Sequence, residues 1–168
     1  MLTSRSNHQM HVTFDLGAQQ YAIAACYVER ITPMAALHCP AGMPKLLRGF
    51  LDLAGEPVPV VCLHSMFCLP VPEPGLWTPV IILRCREQRL AFSVDKVNRI
   101  VKVDGNTTLA LPANHVFNEC VEGLVRCNEG SFLVLSPDQL LLQKESETIA
   151  ALQEMAAQRI SELEGVEA

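Results

Sequence analysis

The stretch that most constrains this chain is Gly49-Phe-Leu-Asp-Leu-Ala-Gly-Glu-Pro-Val-Pro-Val-Val-Cys-Leu63. Its apolar content is rich in strand-forming residues, and Gly55, Pro57 and Pro59 fall where a helix cannot continue. The pattern predicts a strand ending at Leu53, a tight turn at Ala54-Gly55-Glu56-Pro57, and a second strand from Val58 to Leu63. Gly55 reaches positive φ without steric conflict, and each proline fixes φ while removing an amide donor. Prolines this dense place the second strand at a sheet edge.

The rest of the chain is punctuated in the same manner. His11–Leu16 alternates polar and apolar, Gly17-Ala-Gln-Gln is a turn, and Tyr21, Ile23 and Ala25 continue with period two, which gives a hairpin. Residues 33–48 carry Pro33, Pro40, Gly42 and Pro44, leaving room for about one helical turn near Lys45–Arg48. Leu69–Gly75 is a stiff proline-rich connection between two lobes. Beyond it, Val80–Cys85, Leu90–Val94, Val97–Val103, Cys120–Cys127 and Phe132–Leu135 are strands, joined by turns at Arg86-Glu-Gln, Asp104-Gly105-Asn106 and Asn128-Glu-Gly130. Helix is expected only after Ser136-Pro137, a good N-cap and first helical position, because no Pro or Gly follows until Gly165. Ile149, Leu152, Ala156, Ile160 and Leu163 share one face there. Periodicity does not decide between one helix and two broken near Lys144–Ser146. Nor does it decide whether the stripe packs on the chain's own body or docks a partner, self-association included. The expected fold is all-β, in two small lobes of roughly 10–68 and 76–135, with a C-terminal helix.

Composition narrows the function. The chain has 168 residues, is 49% hydrophobic and carries a net charge of -5. The negative charge concentrates in residues 144–168, where Lys144 and Arg159 stand against Glu145, Glu147, Glu154, Glu162, Glu164 and Glu167. No basic stripe exists to neutralise phosphates, which argues against a nucleic-acid partner. No apolar run is long enough to span a bilayer and the N-terminus has no apolar signal region, so membrane insertion is not expected and a cytoplasmic location is. Seven cysteines, odd in number and without Cys-x-x-Cys, suit reduced thiols better than a disulfide framework.

Signals for chemistry are weak. Cys62 and His64 would share a face if their strand continued, so a thiol–imidazole pair or partial metal site is the alternative, enzymatic reading. Four ligands at metal-binding spacing are not present, no phosphate-binding glycine loop occurs, and no cofactor is expected. Asp52, Glu56, Asp95, Glu119 and Glu122 are accounted for as solvated turn or loop residues, as are Arg84, Arg86 and Arg89 around their hairpin turn. The residues by themselves describe a non-catalytic, all-β binding protein.

Five elements in order resemble the CheW family of chemotaxis coupling proteins. They are Phe14-Asp-Leu-Gly-x-x-x-Tyr21, Val28-x-x-Ile31, Gly49–Leu63, Phe92-Ser-Val-Asp95-Lys-Val97, and Gly123-Leu-Val-x-x-x-x-Gly130-Ser-Phe-Leu-Val-Leu135. The resemblance spans residues 12–142. It implies a CheW-like domain over 10–143, built from two SH3-like β-barrels, with 144–168 as an acidic helical extension. It also implies an adaptor, not an enzyme, joining a chemoreceptor's cytoplasmic tip to the regulatory domain of a CheA-type histidine kinase at the receptor array. By the same resemblance, Gly49, Asp52, Leu53 and Gly55 match the turn associated with kinase and receptor contact, and Val28 and Val97 match apolar positions near the receptor groove. Three positions depart from the family's pattern: Ala54 stands where Arg is usual, Arg30 where Glu is usual, and Cys62 where Asp is usual. Losing one interface cation and reversing one anion is expected to alter partner choice more than fold.

Overall fold

The computed structural model describes residues 8–73, 75–85, 88–104, 108–109, 120–128, 130–140 and 143–166. Among the described residues twelve strands and two α-helices are formed: β1 (His8–Leu16), β2 (Gln19–Ala24), β3 (Val28–Pro33), β4 (Leu37–His38), β5 (Leu47–Leu53), β6 (Glu56–Val61), α1 (Leu63–Met66), β7 (Pro79–Cys85), β8 (Gln88–Ser93), β9 (Lys96–Asp104), β10 (Thr108–Leu109), β11 (Val121–Cys127), β12 (Gly130–Leu135) and α2 (Gln143–Val166). The turn expected at Gly105–Asn106 and the loop through Pro112 and Asn114 lie outside the described residues.

The strands form two six-stranded sheets, β10-β11-β12-β2-β1-β9 and β3-β7-β8-β6-β5-β4. Both sheets draw on chain from either side of the proline-rich connection: β1 and β2 join β9–β12, while β7 and β8 join β3–β6. Each sheet is mostly antiparallel, with one parallel junction, β12 to β2 in the first and β8 to β6 in the second.

Alternation along the strands separates three cores. The largest lies between the sheets and holds Phe14, Phe92, Phe50, Leu63, Ile81 and Leu135, all buried, with Phe14 and Phe92 ring centroids 5.4 Å apart. Ala22, Val101, Val125, Phe132 and Val134 form a second core within the first sheet. Leu51, Val58, Val60, Val80, Ile82 and Ala91 form a third within the second. Because β9 and β11 contribute Val101 and Val125 to one cluster while standing apart in strand order, the first sheet curls round its own core.

Several local expectations change. The turn in the organising stretch is two residues, Ala54-Gly55, since Leu53 pairs with Glu56. β6 is interior in strand order, not an edge. The prolines are tolerated because Pro57 and Pro59 oppose Asp52 and Phe50 at non-hydrogen-bonded positions, so their nitrogens turn away from β5. On that outer side β8 pairs only with Val60 and Val61. No helical turn forms at Lys45–Arg48; β5 begins at Leu47 instead. β6 ends at Val61, and Leu63–Met66 is a helical turn. Ser136 makes no side-chain cap; Pro137–Gln139 is a short 3-10 turn preceding α2.

α2 is continuous from Gln143 to Val166. Ile149, Leu152, Ala156 and Ile160 are buried, and the first three belong to the main core, whereas Leu163 is 62% exposed. Gln153 Nε2 donates to the Pro57 carbonyl at 2.6 Å. The helix therefore covers the part of β6 that β8 leaves open, which is where the proline-bearing strand has a carbonyl to satisfy. Removing the Gln153 amide by Gln153→Ala is expected to lower stability by about 1 kcal/mol in urea unfolding.

Candidate partner-binding surface

The β5–β6 hairpin presents Asp52, Ala54 and Gly55 to solvent, with Leu53 half-buried on the second sheet's own core. Both turn residues have positive φ, Ala54 at 52° and Gly55 at 89°, the combination a two-residue hairpin needs to match strand twist. Asp52 Oδ1 accepts from the Gly55 amide at 2.8 Å, which fixes the loop from inside. Ala54 has no such help, and a β-carbon in the left-handed region is strained by about 1 kcal/mol. Ala54→Asn is expected to raise stability by about 0.5–1 kcal/mol, and Asp52→Ala to lower it by about 1 kcal/mol, both read as shifts in the urea midpoint.

Gly49 has a different task. It is buried at φ 150°, and a β-carbon there would stand 2.9 Å from Leu37 Cβ and 3.0 Å from both Cys39 Sγ and His38 O. Glycine lets β4 approach β5 where Arg48 bulges out of the β5–β6 register.

The other residues of the expected surface lie elsewhere. Val28 and Arg30 are on β3, at the far edge of the same sheet, and Val97 is on β9, at an edge of the other sheet. Val28 and Val97 are half-buried and both pack against the main core between the sheets, whereas Arg30 is exposed. Among the described residues, no hydrogen bond links the hairpin directly to these three.

Arg89 makes the indirect connection. Its guanidinium donates to Glu29 Oε2 at 2.9 Å and Oε1 at 3.1 Å, a bidentate pair, and also to Glu56. Glu29 is the extra residue of a bulge between Val28 and Arg30, and Glu56 follows Gly55 directly. Arg89 thus ties the strand carrying Val28 and Arg30 to the tip carrying Ala54 and Gly55. Its hydrogen bonds hold the Glu29 carboxyl below the usual carboxylate range, and Glu29 in turn keeps Arg89 charged. The sequence places Arg89 among solvated turn residues. It gives no signal for this role because 29, 56 and 89 meet only through sheet pairing.

Cys62 and His64 do not form a pair. Cys62 ends a strand and His64 lies in α1, so the shared strand face does not exist. Cys62 Sγ accepts from Ser65 Oγ at 3.4 Å. Burial pushes its thiol up, but hydrogen bonds from Ser65 and the nearby Arg48 charge outweigh it and leave a net downward shift. His64 is buried and bonds Asp95 Oδ1 through Nε2 at 2.9 Å. Asp95 Oδ2 also accepts from the Gly17 amide at 2.6 Å, so this pair stitches the second sheet to the first hairpin. Among the described residues no group of three potential metal ligands converges, and no helix is long and apolar enough to cross a membrane.

Comparison with known proteins gives this arrangement its class. The family model described as CheW-like domain matches residues 10–145, and the chain belongs to that family. The curated "Chemotaxis protein CheW" of Treponema pallidum (strain Nichols) is 26% identical over 147 residues, covering 84% of this chain and 86% of the relative. Among solved structures, the scaffolding protein TtCheW from Thermoanaerobacter tengcongensis superposes with a TM-score of 0.71 at 19% identity, covering 76% of this chain and 88% of that one. The two-sheet architecture is thus the CheW fold, and most of α2 lies beyond the family-matched segment.

Proposed function

We propose that this protein is a non-catalytic adaptor that couples the cytoplasmic tip of a chemoreceptor to the regulatory domain of a CheA-type histidine kinase. Membership of the CheW-like family over residues 10–145 carries the proposal. Its geometry supports a contact surface at the β5–β6 tip, where backbone conformation is held by Asp52, Gly49 and Gly55 while the side chain at 54 is free to vary. Val28 and Val97 supply apolar positions at sheet edges, where a helical receptor hairpin can lay its own apolar face. The work is recognition by exposed edges and turns; no bond is made or broken.

Ala54 and Arg30 then set partner choice. Both are exposed, so neither substitution changes the core. A tip without a cation forgoes a charge-assisted contact, and a cation on β3 in place of an anion repels partners built for the opposite sign. The proposal is a specialised coupling protein with its own kinase or receptor. In pull-downs, the cognate kinase regulatory domain is expected to bind at least about tenfold better than non-cognate homologues, and Ala54→Arg to narrow that ratio. Equal binding of wild type to every homologue removes the specialisation. Binding to none of them removes the adaptor assignment.

A further inference from the structure

Among the described residues, the two most exposed large apolar side chains are chain neighbours: Leu76 is 81% exposed and Trp77 86%. They occupy the two central positions of a turn closed from both sides. The Thr78 amide donates to the Gly75 carbonyl at 3.1 Å, and the Gly75 amide donates to Thr78 Oγ1 at 2.8 Å. The Met34 amide donates to the Thr78 carbonyl at 2.9 Å, which joins the turn to the end of β3. Behind it, Arg48 Nη2 donates to the Pro72 carbonyl at 3.3 Å and holds the proline-rich connection in place. Central turn positions ordinarily carry Pro, Asp, Asn or Gly, and neither Leu nor Trp takes part in closing this one. A large apolar pair held in water on a fixed backbone is a preorganised anchor, with little left to order when a partner arrives.

Its place in the sheet selects the partner. On β7, Pro79 pairs with Pro33, whereas at the other end Leu83 pairs with Val28 and Arg84 with Arg89, the residue that reaches Glu56. The turn therefore lies at the opposite end of β7 from the Ala54-Gly55 tip, about 20 Å away along the strand. It continues the apolar line of edge strand β3, where Val28 is half-buried and Ile31 is 43% exposed. Val28 and Ile31 pair with Leu83 and Ile81 of the main core, so both face the seam between the sheets. β3 is blunted against an added strand. Glu29 bulges out of its register, and two prolines paired as Pro33 and Pro79 exchange no hydrogen bond, so the donor Pro33 lacks is one on the outer edge. A helix satisfies its own backbone and needs no such donor. Val28 to Pro33 spans about 17 Å, the rise of roughly 11 helical residues. Glu73 is the one charged residue in the connection 69–79, which sets the turn against an anionic lipid surface.

We propose that the Leu76–Trp77 turn anchors an amphipathic helix of the chemoreceptor's cytoplasmic tip, which lies along β3 with its apolar face on Val28, Ile31 and Trp77. This rests on the adaptor reading above and adds to it a contact from the connection between the lobes. The indole supplies a broad apolar surface and one N–H donor for an acceptor on the partner. Because the hairpin tip lies at the other end of the sheet, receptor and kinase contacts are separable by substitution.

Trp77 is the chain's single tryptophan, so its emission reports this contact directly. Soluble cytoplasmic regions of chemoreceptors from the same genome, the kinase regulatory domain, and phosphatidylcholine–phosphatidylglycerol vesicles are each titrated into the full chain. The cognate receptor is expected to shift the emission to the blue and to protect Trp77 from acrylamide quenching, and the kinase domain and vesicles to do neither. Trp77→Ala is expected to weaken receptor binding at least about tenfold and Leu76→Ala about fivefold. Both variants should keep kinase affinity within about twofold of wild type and an unchanged melting temperature, because both side chains already stand in water. A receptor that binds while emission and quenching stay put overturns the anchor and leaves the adaptor reading standing, as does wild-type receptor affinity in Trp77→Ala. A blue shift produced by the kinase domain or by the vesicles overturns it equally, since the turn then serves another partner. Failure of every receptor to bind removes the adaptor reading and the anchor with it.

Discussion

Gly49→Ala is expected to destabilise the protein by about 3–4 kcal/mol, the largest effect of any single-methyl change in the hairpin. Two penalties combine. The added carbon meets backbone and side-chain atoms of residues 37–39 at 2.9–3.0 Å, and one of them, His38 O, is main chain that moves only if β4 moves. The φ of 150° adds strain of its own for any residue with a β-carbon. Urea unfolding checks this as a fall in midpoint at unchanged slope. A loss under about 1 kcal/mol would mean β4 yields easily and Gly49 is not the residue that seats it. Gly49 is therefore assigned to the scaffold beneath the contact surface, and partner binding by the alanine variant should fall only in proportion to the unfolded fraction.

Loss of α2 is the second large effect. Deleting 146–168 removes Ile149, Leu152, Ala156 and Ile160 from buried positions and strips the cover from Pro57 O. At roughly 1.5–3 kcal/mol for each large buried aliphatic side chain, the three larger residues represent a sizeable part of ordinary domain stability. The truncated chain is expected to lose solubility and cooperative unfolding, as opposed to losing only a partner. Leu152→Ala gives the same answer in milder form, a loss of about 2–4 kcal/mol, whereas exposed Leu163→Ala should stay within about 0.5 kcal/mol. A soluble, cooperatively folding truncation that has lost kinase binding would reverse this and make α2 a docking helix.

The acidic side of that helix is also placed by this packing. Glu164 comes within 3.9 Å of where a Gly55 β-carbon would stand. The last turns of α2 thus flank the hairpin tip, where a partner must approach both together. The surroundings of Ala54 consequently include an acidic neighbour that the hairpin sequence does not contain.

Much of this was legible along the chain. Period-two alternation identified β1, β2 and β8, because a strand with one face in a core repeats its chemistry every second residue, while a continuous apolar run marked β7 and flanking turn residues bounded β9, β11 and β12. A tight turn at Gly55, though not its two-residue length, and the amphipathic helix were legible for the same reason: backbone preference and face periodicity are local properties. The ordered motifs carried the family. Other features failed locally for identifiable causes. The edge assignment for β6 followed from its prolines, but an interior strand can hold them where its outer neighbour stops short. Cys62 and His64 were set on one strand because nothing nearby marked the end at Val61; Leu63 enters the main core and the chain turns helical there.

What the sequence determined by itself is the alphabet of the structure: short strands, tight turns, one terminal helix, a neutral body with an acidic tail, and a hairpin whose prolines restrict the backbone and whose glycines admit positive φ. These follow from sterics and periodicity within a dozen residues. Tertiary structure alone decided that both sheets interleave the two halves of the chain, that α2 spends its apolar face on β6, and that Arg89 clamps Glu29 to Glu56. It alone joined the Leu76–Trp77 turn to the end of β3. Those outcomes depend on pairings between residues tens of positions apart, whose energies exist only once the strands have met.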